Sequence, residues 1–169
     1  MTHRAEPGFT VWPAGPFDIP LIAALHADSF TGLSAGQVWD ETSVAEILAM
    51  PGAYGLLTGL GGESPSRGCA EPAGFLLGRN VAETGEILSL GMVRAWRRRG
   101  GARLLLRAAI ARASAAAVTR LFLEVAEDNQ AARELYAGEG FAAIARRPAY
   151  YRRHHGPAVT ALVLARDLG

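Results

Sequence analysis

Three arginines, two glycines and the start of a helix stand together in "VRAWRRRGGARLLLRAAI", Val93–Ile110. The first backbone N–H groups of a helix lack intrahelical partners, and the macrodipole adds about half a positive charge there. Gly100 and Gly101 have no Cβ, so an anion could approach the backbone closely. Arg97, Arg98 and Arg99 would add charge-assisted contacts. The chemistry that suits this grouping is phosphate binding. A P-loop is excluded, because its motif needs a lysine and all 17 basic residues are arginine. A dinucleotide fingerprint needs G-x-G-x-x-G after a strand, and "RGGARLL" does not supply it. The other reading is a plain strand-to-helix turn with a solvated basic edge.

Two more side chains could handle protons. Glu124 sits in "LFLEVAE", an otherwise apolar strand, where a carboxylate is either outward-facing or functional. Tyr136 follows twelve residues later. Its neighbours Ala131, Ala132 and Leu135 also suit a core aromatic. Asn129 fits a helix N-cap. His154 and His155 have no third ligand nearby, and adjacent strand side chains point opposite ways, so they read as loop histidines and no metal is expected. His26 fits the face of the first helix. Cys69 is the only cysteine, which excludes an internal disulfide and a thiolate-rich metal site. "RRPAYYRRHH" interleaves basic and aromatic residues as nucleic-acid binders do, but one hairpin is a small footprint, and no nucleic-acid partner is expected.

These residues need a frame. The chain has 169 residues, half of them hydrophobic, enough for a single domain over 1–169 with a real core. No apolar run reaches the roughly 18 residues that span a bilayer. "MTHRAEPGFTVWPAG" lacks the basic and apolar regions of a signal peptide. The expectation is a cytoplasmic protein with no membrane partner. Charge is unevenly spread. Residues 1–92 hold 3 basic and 10 acidic residues, a net of −7, and residues 93–169 hold 14 and 6, a net of +8. Such a split places anion handling in the C-terminal half.

Periodicity and punctuation place the elements. Phe9–Ala14 reads as a strand, Asp18–Phe30 as a helix capped by Asp18, and Asp40–Met50 as a second helix. Strands follow at Ala53–Gly59, Ala73–Val81 and Gly85–Val93, with a polar loop over Gly59–Pro72. In the next helix, Ala102, Leu105, Leu106, Ala109, Ile110 and Ala113 share one face, and Arg103 and Arg107 lie on the other. Thr119–Glu127 is a buried strand, and a short helix stops at Gly138 and Gly140. A final strand pair spans Phe141–Tyr151 and Ala158–Leu168. The order is β-α-α-β-β-β-α-β-α-β-β.

"RRRGGA" resembles the Q/R-x-x-G-x-G/A signature of the GCN5-related N-acetyltransferases (GNAT). "LFLEVAEDNQAARELYAGEGF" and "RRPAYY" closely resemble the RimI-type ribosomal-protein-alanine N-acetyltransferases, and "WDETSVAEIL" does so more loosely. The likeness is close over Gly85 to Tyr151. It implies an α/β fold: a mixed, mostly antiparallel sheet of about seven strands, splayed at its middle, with about four helices. Acetyl-CoA would enter the splay. The resemblance implies that backbone N–H groups from Arg98 to Arg103, in the Arg97–Ala102 turn, hold the pyrophosphate. Leu90 to Met92 would pair with the pantetheine arm, and Asn129 would also contact it. Val93 and Arg94 replace an acidic residue and a proline that often follow this strand, and Ala102 replaces the motif's last glycine.

Acetyl transfer to an amine needs one proton removed from the ammonium and one delivered to the leaving thiolate. The resemblance gives these tasks to Glu124 and Tyr136. It implies a protein N-terminal α-amine as acceptor, with Tyr150 and Tyr151 on a substrate-binding hairpin. Acidic residues that follow this segment in the family are Pro157, Ala158 and Val159 here. A small amine (aminoglycoside, polyamine or amino acid) is the second acceptor class, and a non-catalytic acyl-CoA-binding module is the third reading. The chain could act as a monomer or a homodimer.

Overall fold

The computed structural model describes residues 8–30, 38–61, 71–151 and 157–169. Strand β1 (Phe9–Pro13) leads through a 3-10 turn (Pro16–Asp18) into α1 (Ile19–Phe30), and α2 is Glu41–Ala49. Then come β2 (Ala53–Leu60), β3 (Glu71–Val81), β4 (Thr84–Met92), α3 (Gly101–Ala115), β5 (Arg120–Ala126), α4 (Gln130–Gly138), β6 (Ala142–Tyr151) and β7 (Val159–Asp167). The order matches the reading from sequence. One difference lies at α1. Asp18 belongs to the 3-10 turn, where its carboxylate accepts the Gly15 N–H at 2.7 Å, so α1 begins one residue later. Asp40 caps α2 by accepting from the N–H of Ser43 at 2.9 Å and from its hydroxyl at 2.8 Å. The 62–70 part of the polar loop, including Cys69, and the 152–156 segment with His154 and His155, lie outside the described residues.

The seven strands form one sheet in the order β1-β2-β3-β4-β5-β7-β6. All neighbours are antiparallel except β4 and β5. Helices α1 and α2 cover one face, burying Ile22, Leu25 and Val44 against Leu57, Phe75 and Leu77. Helix α3 covers the other, burying Leu105, Leu106 and Ala109 against Tyr54, Leu76 and Leu123. His26 is buried in the first of these layers. Its ring stacks on Trp39 at 4.8 Å and Nδ1 accepts the Trp39 N–H at 3.3 Å. Among the described residues no helix is long and apolar enough to cross a membrane. No group of three or more His, Cys, Asp or Glu among them could hold a metal ion.

Candidate active site

The sheet comes apart at its middle. β4 pairs with β5 from Thr84↔Arg120 to Ile87↔Leu123 and no further, while β5 stays paired to β7 as far as Ala126↔Ala161. The break coincides with a bulge in β4. Leu77 faces Ser89 and Gly78 faces Ile87, so Leu88 is one residue too many. A bulge bends its strand and re-aims the side chains beyond it. Here it turns Leu90 and Met92 toward the α3 layer. The Val93 N–H donates to the Ala73 carbonyl at 2.9 Å. Strand alternation therefore puts the N–H and C=O of Leu90 and Met92 on the edge that β5 has left. Below the parted edge lies a cleft of about 410 Å³, lined by Leu90–Met92, Arg97, Arg98, Gly100–Arg103 and, from α4, Leu135 and Tyr136.

The Arg/Gly turn closes one end of this cleft. Arg98 (φ 62°) and Gly100 (φ 90°) are left-handed, whereas Arg97 and Arg99 are not. The turn leads directly into the start of α3, whose unpartnered N–H groups favour an anion. Gly100 is the N-cap of α3 and offers no side chain, and no acidic residue sits in the first turn. The leading N–H groups of α3 stay available. The two glycines have different jobs. A Cβ on Gly100 would meet nothing within 4 Å. A Cβ on Gly101 would lie 2.6 Å from the Met92 methyl and 3.2 Å from Phe9, inside the core. Gly101 therefore lets α3 press on β4 and β1, and the open approach expected at both glycines belongs to Gly100. The arginines also diverge. Arg97 donates through Nε to the Met92 carbonyl at 3.0 Å and through Nη2 to the Ser29 carbonyl at 2.8 Å. It thereby ties the end of β4 to α1. Arg99 stacks over Trp96 at 4.9 Å. Arg98 and Arg103 line the cleft.

Glu124 and Tyr136 reach the parted seam from different sides. Leu121, Leu123 and Val125 point into the α3 layer, so Glu124 leaves β5 on the opposite face. There its carboxylate pairs with Arg147 Nη1 of β6 at 2.8 Å. Tyr136 is buried in the α3 layer with its ring 6.0 Å from that of Phe141. Burial pushes its phenol well above the ordinary range, and the nearby Tyr151 adds to the shift. The Tyr151 phenol is pushed up to about 12 by burial first, then by Glu124 and Tyr150, against the pull of Arg147. Tyr151 thus stands near both Glu124 and Tyr136. Tyr150 packs edge-on against it at 5.1 Å, with Arg147 over its ring at 5.5 Å. Between Arg147↔Ala161 and Tyr151↔Val159, β6 carries two more residues than β7, and Ala149 is left-handed there (φ 53°). Asn129 caps α4, its side-chain oxygen accepting the Ala132 N–H at 3.2 Å. The arrangement can bind an anion at one end, hydrogen-bond an extended chain along β4, and move protons at the other end.

The family model described as the acetyltransferase (GNAT) family matches residues 22–141. The chain belongs to the GNAT family of acetyltransferases. Solved structures share its fold. The ribosomal-protein-S18-alanine N-acetyltransferase from Escherichia coli is 23% identical, with TM-score 0.78 and coverage of 96% of this chain and 95% of that one. NAA60 of Arabidopsis thaliana, in complex with a bisubstrate analogue, is 17% identical, with TM-score 0.77 and coverage of 96% and 100%. The protein yncA of Salmonella typhimurium, with its cofactor acetyl-CoA, is 18% identical, with TM-score 0.77 and coverage of 96% and 95%. No curated protein matches in sequence. The GNAT chain is therefore an acyltransferase that uses acetyl-CoA.

One residue of this GNAT site carries no signal in the sequence reading. Glu139 stands between the glycines that stop α4, and its side chain is buried. Arg107 Nε donates to both carboxylate oxygens, at 3.1 and 3.0 Å, and Arg103 Nε lies 3.2 Å from one of them. Arg166 of β7 donates to the Glu139 carbonyl. Arg103 and Arg107, on the face of α3 opposite its apolar residues, are the partners of this carboxylate.

Proposed function

We propose that residues 1–169 form one acetyltransferase domain that moves an acetyl group from acetyl-CoA to a protein N-terminal α-amine by direct transfer. The cleft fits the donor on three counts. The leading N–H groups of α3 and the turn from Arg98 to Arg103 suit a pyrophosphate. The N–H and C=O of Leu90 and the N–H of Met92 suit an extended amide-containing arm, the Met92 carbonyl being held by Arg97. The side-chain NH₂ of Asn129, whose oxygen is engaged as a cap, suits a carbonyl of that arm. Acetyl-CoA supplies an activated thioester. The chain's residues orient it and move the protons. Glu124, directly or through a water, takes a proton from the incoming ammonium. Tyr136 keeps its proton at any working pH, because burial disfavours the phenolate, and donates it to the sulfur as the thiolate departs.

The observation that carries the acceptor class is the pairing of Glu124 with an aromatic hairpin strand. Tyr151 stands near its carboxylate and Tyr150 packs on Tyr151 and Arg147, and their broad faces with polar tips suit a peptide. The fold shared with the S18-alanine enzyme and NAA60 supports the same choice. A small amine is the second reading, favoured by Pro157, Ala158 and Val159 in place of acidic residues. Steady-state kinetics on short peptides beside free amino acids, polyamines and aminoglycosides separates the two. Peptides should be acetylated, and Tyr150→Ala with Tyr151→Ala should raise KM for peptides far more than for acetyl-CoA. Efficient turnover of a small amine and of no peptide would replace the first reading by the second.

A further inference from the structure

The partner of Glu124 is itself informative. The carboxylate of Glu124 is only 22% exposed, and the guanidinium of Arg147 that holds it is on a side chain 54% exposed. An ammonium that comes directly to Glu124 competes with this cation for the carboxylate. The two cations repel each other, so the approach of the ammonium favours a shift of Arg147 away from Glu124. The displacement is easy, because a half-exposed ion pair is screened and weak. Its consequence is a guanidinium released from its carboxylate beside the reacting amine. Of the groups beside it, Tyr150 and Tyr151 offer phenols, and Glu127 is engaged by Arg146 on the opposite face of β6. The bulge at Pro148 and Ala149 holds Arg147 and Tyr151 on the same side of the strand as Glu124.

Resting on the reading of Glu124 as the base, we infer that Arg147 is a specificity-determining residue that selects acceptors carrying a carboxylate close to the reacting amine. The ammonium meets Glu124, the released guanidinium meets the acceptor's carboxylate, and the ion pair is exchanged for two. A guanidinium suits this role because its fork can grip a carboxylate with two hydrogen bonds. The carboxylate could be an acidic side chain at the second position of a peptide or the α-carboxylate of a free amino acid.

The test compares matched acceptors that differ only in that charge. One arm sets an Ala-Asp peptide against its Ala-Asn counterpart, and the other sets a free amino acid against its amide. In the wild type, kcat/KM should favour the carboxylate member by about tenfold in at least one arm, and that arm names the source. Arg147→Gln should bring the ratio to about one, chiefly through KM, and Arg147→Lys should keep part of it. Arg146→Gln, on the other face, should leave the ratio intact. A wild-type ratio near one in both arms overturns the inference. So does Arg147→Gln lowering kcat for both members alike with the ratio preserved, since the guanidinium then only orients Glu124. Turnover confined to the amino-acid arm defeats the peptide reading without touching the role of Arg147. Unimpaired turnover in Glu124→Gln defeats the reading of the base.

Discussion

The two banks of the seam are built by different means. On the bank proposed for the donor, the candidate binding groups are backbone: the freed edge of β4, the left-handed turn at Arg98 and Gly100, and the first N–H groups of α3. They are fixed by a packed core, since Met92 and Leu105 are buried and Gly101 is pressed against Met92 and Phe9. On the acceptor bank, the groups are side chains of β5 and of β6, an edge strand exposed almost throughout. A backbone cradle works only in particular conformations, so it restricts which residues can form it. A side-chain bank imposes no such restriction, and it can change its chemistry without disturbing the fold.

The sharpest way to break this comparison is to remove the chemistry while leaving both banks in place. Tyr136→Phe and Glu124→Gln should each lower kcat by roughly 10²–10⁴-fold, the usual span for acid–base groups. Acetyl-CoA affinity, read by calorimetry, should be unchanged in both. Turnover close to wild type in either variant removes that residue from the mechanism.

The next test separates backbone from packing on the donor bank. Gly100→Glu puts a negative charge at the mouth of α3 and forces a side chain onto φ 90°. It should weaken acetyl-CoA binding by more than about 100-fold, since like charges brought together cost several kcal/mol. Gly101→Ala should do the reverse. It should lower stability by about 1–3 kcal/mol through overpacking against Met92 and leave affinity in the folded protein intact. Calorimetry and thermal denaturation of the two variants should therefore give opposite patterns. If Gly101→Ala destroys binding and Gly100→Glu spares it, the division of labour between the glycines is wrong.

The smallest effect belongs to the helices on the Glu124 face of the sheet. Burial depresses the His26 pKa from 6.5 to about 4. Between those values the unfolded chain takes up a proton that the folded protein refuses. Stability is therefore complete above about pH 6.5 and is lost as pH falls toward about 4. Melting temperatures across that window should decline in the wild type and decline less in His26→Leu. Parallel slopes would mean that other groups carry the acid sensitivity.

This contrast also explains what the sequence reveals. The anion-binding turn can be proposed from sequence because glycines and arginines at a strand-to-helix junction suit an anion, although a plain turn has the same signature, and Asn129 suits a helix start. The roles proposed for Glu124 and Tyr136 come from resemblance alone, since a lone glutamate in a strand and a tyrosine on a helix each have ordinary structural readings. Partnerships are not legible. Arg97 bonds Ser29 across 68 residues, and Arg107 bonds Glu139 across 32. Nothing local in "RRRGG" or "AGEGF" announces either. The bulge at Leu88 is equally silent, because alternation reads the same with the extra residue on either strand. Nor does the absence of a Cβ tell whether a glycine faces a ligand or a neighbouring methionine.

Glu139 joins these parts mechanically. Its carboxylate grips two arginines of α3, its carbonyl is held from β7, and it lies three residues beyond Tyr136. Helix α3, whose first N–H groups are proposed to hold the phosphates, and helix α4, which carries Tyr136, are linked by one buried charge. Swinging α4 away from α3 would part a buried carboxylate from two guanidinium partners, so the tie resists widening of the cleft on that side.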